Sequence, residues 1–133
     1  MTQVSRAITL KAPAADVWAA IGPFQSIADW HPAVATSTRE DIGGVEHRRL
    51  ALEGGGEILE KHLGAGEMSY SYAILESPLP VADYRATITV AAANGAAVVV
   101  WTSTFEATAD GAEDVIAGIY DAGFASMAER FGH

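Results

Sequence analysis

Two hydrophobic periods occur in this chain, and their order constrains the fold most. From Val34 to Ala107 the sequence runs in short segments of strand character cut by glycine and proline. After Asp110 the period changes once. Ile116, Ile119, Tyr120, Gly123, Phe124, Met127 and Phe131 recur at three- and four-residue spacing, one apolar face about twenty residues long. Asp110 with Glu113 three residues on reads as the capping box that starts this helix. A long helix with one apolar face, arriving after a run of strands, has only those strands to pack on.

The remaining elements follow from local signals. Gln3 to Lys11 is strand-like. Pro13 suits a first helical turn, Asp16 favours its dipole, and Val17, Trp18, Ala20 and Ile21 form its apolar stripe up to Gly22-Pro23. Phe24 to Trp30 reads as a second short helix closed by Pro32. Strands follow over Val34–Asp41, Glu46–Glu53, Gly56–Leu63, Glu67–Glu76, Asp83–Ala93 and Ala96–Ala107. Gly43-Gly44, Gly54-Gly55 and Asn94-Gly95 are turn signals, and Pro78 and Pro80 make Ser77–Pro80 a loop. Short turns imply antiparallel neighbours. Seven twisted strands and one long helix bury each other only if the sheet curls around the helix. The expectation is one α+β domain over residues 1–133. A curved seven-stranded antiparallel sheet surrounds a long C-terminal helix, two short helices follow strand 1, and an apolar space lies between sheet and helix.

Composition excludes several functions. There is no cysteine, so disulfides, thiolate chemistry and cysteine-ligated metals are out. A net charge of −9 with eight scattered Lys and Arg disfavours nucleic acid and anionic membrane surfaces. No apolar run approaches the ~20 residues of a membrane span, and the N-terminus lacks a signal-peptide pattern. A cytoplasmic protein, monomer or homodimer, is expected. No dinucleotide or phosphate loop occurs, so neither a dinucleotide nor a nucleoside triphosphate, nor any other cofactor, is expected, and without a nucleophile elbow hydrolase nucleophile chemistry is not expected either.

Certain residues on this frame resemble the START/polyketide-cyclase superfamily with its helix-grip fold. They are Trp30-His31-Pro32-Ala33-Val34, Arg49-Leu50, Gly55 with Glu60, Tyr70-Ser71-Tyr72-Ala73-Ile74, Pro78-Leu79-Pro80-Val81 with Tyr84 and Arg85, and Trp101 with Phe105. The chain is most similar to small bacterial members called polyketide cyclase/dehydrase, or to the methanol-oxidation accessory type. The resemblance implies an internal cavity for a small hydrophobic, oxygenated molecule such as an aromatic or polyketide-like compound. It also implies that the matching Arg and Glu point inward. Function within such a fold is decided by the site.

Glu60, Arg49 and His31 are the candidates for chemistry. A two-residue turn at Gly54-Gly55 sets Arg49 opposite Glu60, and His47 opposite His62. A three-residue turn including Gly56 sets Arg49 opposite Lys61 instead, and the sequence leaves this register open. Glu60 or His31 would shuttle a proton while Arg49 orients Glu60 or holds an enolate oxygen. The same Arg and Glu on an outer face would be a plain surface ion pair. Two histidines alone are a poor metal site, and none is expected. Trp30, Tyr70, Tyr72, Tyr84, Trp101, Ser103, Tyr120, Gly123 and Phe124 are the candidate ligand contacts. The helix is expected to close the cavity through Ile116, Tyr120, Gly123, Phe124 and Met127. Gly123 on the apolar face costs about 1 kcal/mol relative to alanine, so it marks either ligand space or close helix packing. The functional alternatives are a cofactor-free cyclase, dehydratase or isomerase (a lyase or isomerase), and a non-catalytic carrier, sensor or accessory protein gated by Ser77–Val81.

Overall fold

The computed structural model describes residues Met1–His133. The chain folds into β1 (Thr2–Leu10), α1 (Ala14–Ile21), a 3₁₀ turn (Phe24–Ser26), α2 (Ile27–Trp30), β2 (Val34–Ile42), β3 (Val45–Leu52), β4 (Glu57–Gly66), β5 (Ser69–Glu76), β6 (Val81–Ala93), β7 (Ala96–Ala107) and α3 (Ala112–Phe131). The strands make one antiparallel sheet in the order β1-β7-β6-β5-β4-β3-β2. Both β1 and β2 are edges, because α1 and α2 carry the chain from one side of the sheet to the other. This is the expected α+β architecture.

The sheet curls because its ladder is interrupted. Pairing shifts between Val34 and Thr36, between Leu59 and Glu60, between His62 and Gly64, and between Ala82 and Arg85. Each bulge adds local twist and bends the strand. At the last of them Asp83 takes φ +52, and β6 starts at Val81 rather than Asp83. The Asn94-Gly95 hairpin forms as expected, with Ala93 opposite Ala96 and both turn residues at positive φ.

The helix N-terminus differs from expectation. Gly111, at φ 84, is the N-cap and no side chain caps the helix. Asp110 and Glu113 therefore do not form a capping box. The apolar face itself is as read: Ile116, Tyr120, Gly123, Phe124 and Met127 are buried against the sheet. The core is continuous from the α1 residues Val17 and Ile21, through the inward residues of β6 and β7, to this face.

Candidate functional site

A cavity of about 240 Å³ lies between the concave face of the sheet and α3. Its walls are apolar: Leu50, Ile58, Ile74, Leu79, Ile116 and Ile119 from strands, loop and helix, with Trp101, Tyr72, Tyr84 and Tyr120 as the aromatic side. Pro78 Cγ lies 3.6 Å from where a side chain on Gly56 would begin, so the β3–β4 turn and the Ser77–Pro80 loop meet. Leu52 and Glu53 from that turn, Leu79, and the half-exposed Val115 of α3 surround the mouth.

The register at the glycine turn decides which arginine serves this cavity. Gly54, Gly55 and Gly56 all take positive φ, at 85°, 104° and 97°. The chain turns over Glu53–Gly55, with the Leu52 amide donating to the Gly56 carbonyl at 3.0 Å, a register that neither expected turn gives. Arg48 faces Glu60, Arg49 faces Leu59, and His47 faces Lys61, while His62 pairs with Tyr72 on the next strand. Adjacent residues of a strand point to opposite faces, so Arg48 is inside and Arg49 outside. The expectation for Arg49 is thus corrected. Its guanidinium lies on the outer face among Glu40, Glu57 and Glu76, and it holds Glu40.

Arg48 is fully buried. Its Nε donates to Glu60 Oε1 at 2.7 Å, and its Nη1 donates to the Phe24 carbonyl at 2.6 Å and to the Tyr70 hydroxyl at 3.3 Å. The guanidinium lies over the Phe24 ring, 4.1 Å from its centroid, with Tyr70 and Tyr72 beside it. Nη2 has no partner. Arg48 does not line the cavity; Glu60 does. Burial pushes the Glu60 carboxyl above the ordinary carboxylate range, and the adjacent Arg48 pulls partly the other way. The result is a carboxyl backed by a cation and turned toward an otherwise apolar space.

His31 also borders the cavity, but both ring nitrogens are engaged. Nε2 donates to the Ile119 carbonyl at 2.8 Å, and Nδ1 accepts from the Ala33 amide at 3.1 Å. An imidazole that donates from one nitrogen and accepts at the other is neutral. Burial accordingly pulls its pKa below the usual histidine value, against the Ile119 bond. His31 ties the end of α2 to α3 and has no nitrogen left for a substrate.

Opposite Glu60 in composition is a chain of hydroxyls. Trp101 Nε1 donates to the Tyr72 hydroxyl at 3.0 Å, Tyr72 bonds Tyr84 at 3.1 Å, and Tyr84 bonds Tyr120. The Tyr120 ring stacks on Trp101 at 4.2 Å. Burial raises all three phenols, Tyr120 to about 12 and the other two well above the usual value, so they are neutral donors.

The other expected contacts stand one layer back. Tyr70 packs on Arg48 and His62. Trp30 packs edge-on against Trp101, and the Phe124 ring lies tilted to Trp101 at 6.3 Å. Ser103 is buried and does not line the cavity. Gly123 is a packing glycine: a Cβ there would come within 3.0 Å of His31 Cδ2 and 3.1 Å of both Trp101 and Trp30. Ile116 and Tyr120 close the cavity; Gly123, Phe124 and Met127 do not. Arg48 is the residue that sequence reading missed. Its only signal was the Arg48-Arg49 pair itself, which on a strand must send one arginine to each face.

The family model described as polyketide cyclase/dehydrase and lipid transport matches residues 1–132. No curated protein matches the chain. Among solved structures, protein XoxI from Bacillus cereus is 29% identical, covering 98% of this chain and 96% of its own, with a TM-score of 0.91. A START superfamily protein from Mycobacterium smegmatis is 11% identical over 97% and 96%, TM-score 0.79. The Zhui aromatase/cyclase from Streptomyces sp. R1128 is 18% identical over 94% and 87%, TM-score 0.72.

Proposed function

Because the chain belongs to the polyketide cyclase/dehydrase and lipid-transport family, we propose that it binds a small hydrophobic, oxygenated molecule in the cavity above and transfers a proton on it without a cofactor. The observation that carries this reading is Glu60. A carboxyl buried in an apolar chamber is costly, and it is held there by a buried guanidinium. Its raised pKa brings it nearer the range in which a carboxyl both gives and takes protons. A tyrosine hydroxyl would hold the ligand's carbonyl oxygen as negative charge develops on it. Arg48, which does not reach the cavity, is a positioning residue. The reactions that fit are cyclisation, dehydration or isomerisation.

One observation favours a second reading. His31 is occupied at both nitrogens, so Glu60 has no histidine to complete an acid–base pair, and a carrier or sensor would need none. Native mass spectrometry of freshly purified protein tests both. An organic adduct, released on denaturation and absent from an Ile116→Trp variant that fills the cavity, is the expected result. Recovery of the adduct chemically changed by wild type and unchanged by Glu60→Gln supports proton transfer; recovery unchanged by both supports the carrier. Adduct retained by Ile116→Trp would refute the cavity as the site.

A further inference from the structure

The cavity's size and its charged groups restrict the ligand more narrowly than the family does. We infer that the ligand is a neutral one- or two-ring compound carrying an O–H or N–H donor, and that carboxylates and three-ring compounds are excluded. This rests on the cavity reading above and specifies it.

Size comes first. An apolar cavity of about 150 Å³ accepts benzene. Scaling by volume, the 240 Å³ here accepts a molecule of about ten non-hydrogen atoms. That is the size of a fused pair of rings. A third ring would have to push apart Trp101, Tyr120 and Ile116, which are fully or almost fully buried, or stand out through the mouth past Leu79 and Val115 and give up its burial.

Charge comes second. No lysine or arginine lines the cavity, and Glu53 and Glu60 are its only carboxylates. An anionic ligand would enter past Glu53, on a protein of net charge −9, to be desolvated beside Glu60 with no cation in reach. A cationic ligand meets the opposite objection. Glu60 is already balanced by Arg48 at 2.7 Å, so a second cation would leave one positive charge without a counter-charge in a poorly solvated site.

Hydrogen bonding comes third. Glu60 accepts, and so it selects a donor. The hydroxyls of Tyr72, Tyr84 and Tyr120 already bond one another, and Tyr72 accepts from Trp101 as well. Glu60 is therefore the acceptor that a ligand meets in the cavity. A neutral aryl alcohol or an N–H heterocycle uses it.

Four probes separate these terms: indole, benzofuran, benzoate and tetrahydrocarbazole, titrated into ¹⁵N-labelled protein while the indole N–H signal of Trp101 is followed. Indole is expected to give a saturable shift. Benzofuran, of the same shape without the donor, should bind at least about tenfold more weakly, because a site built to receive a hydrogen bond rejects the analogue that lacks it. Benzoate and tetrahydrocarbazole should give no saturable shift. Benzoate or tetrahydrocarbazole binding as tightly as indole would overturn the charge or the size limit and leave the cavity reading standing. Benzofuran equal to indole would overturn the donor requirement. If no probe moves Trp101 at millimolar concentration, the cavity reading falls and this inference with it.

Discussion

Replacing Arg48 by methionine and, separately, Arg49 by methionine tests the central structural claim, that the glycine turn puts only the first of these adjacent arginines inside. Arg48→Met removes the 2.7 Å bond to Glu60, the 2.6 Å bond to the Phe24 carbonyl and the contact with Tyr70, and leaves a carboxylate buried. Removing one partner of a buried ion pair costs about 3–5 kcal/mol. Glu60 can relieve part of this by taking up a proton, which its raised pKa makes easier, so the lower end applies at neutral pH. Unfolding entropy of about 2.1 cal/mol/K per residue gives about 0.28 kcal/mol/K for 133 residues, so a loss of about 3 kcal/mol should lower the melting temperature by about 11 °C at neutral pH. Arg49→Met breaks only solvent-screened contacts on the outer face, and should melt close to wild type. The pH dependence carries a sign. Without Arg48 the folded Glu60 pKa rises further above its unfolded value. A raised pKa contributes stability below the unfolded value and loses it as pH rises through the folded one. The gap between Arg48→Met and wild type, read by circular dichroism melts, should therefore narrow from pH 8 to pH 5. Arg48→Met combined with Glu60→Met, which replaces the pair by apolar side chains, should recover most of the loss. An Arg49→Met variant that melts lower than Arg48→Met would refute the register and the reasoning built on it.

Two further predictions concern α3. Gly123→Ala should destabilise by about 1–3 kcal/mol in urea unfolding, despite the helix propensity gained, because three rings lie within 3.1 Å of the new carbon. Gly118→Ala, on the exposed side of the same helix with nothing within 4 Å, should stabilise by up to about 1 kcal/mol; equal effects at the two glycines would contradict the packing described. His31 must be neutral to hold Ala33 and Ile119, and its folded pKa lies below the usual 6.5. The unfolded chain then binds the extra proton first, so stability should drop as pH falls below about 6.5. His31→Ala should be less stable at pH 8 and should lose that part of the pH dependence, and an unchanged slope between pH 6.5 and 5.5 would show that His31 is not its source.

The sequence by itself determined the elements, their order and most of the core. Alternation against glycine and proline marks the strands, three- and four-residue spacing marks α3, and these periods come from backbone geometry that each residue carries with it. It also determined that Glu60 shares a strand face with Ile58, which the cavity confirms as an inward face. Tertiary structure decided the rest. The choice between Arg48 and Arg49 hung on one residue of register, because a strand's side chains alternate with period two and a slip of one exchanges the faces. Three consecutive glycines, free to adopt positive φ, left that register unspecified locally, and it was fixed only when Glu60, Phe24 and Tyr70 together supplied partners for the Arg48 guanidinium. His31 was legible as a residue at the cavity wall but not as a saturated one, since the Ile119 carbonyl that occupies its Nε2 lies 88 residues away in the chain. Gly123 could mean ligand space or close packing until Trp30, His31 and Trp101, from two other elements, were seen to converge on it. A side chain's face is a local property; what meets it there depends on elements distant in sequence.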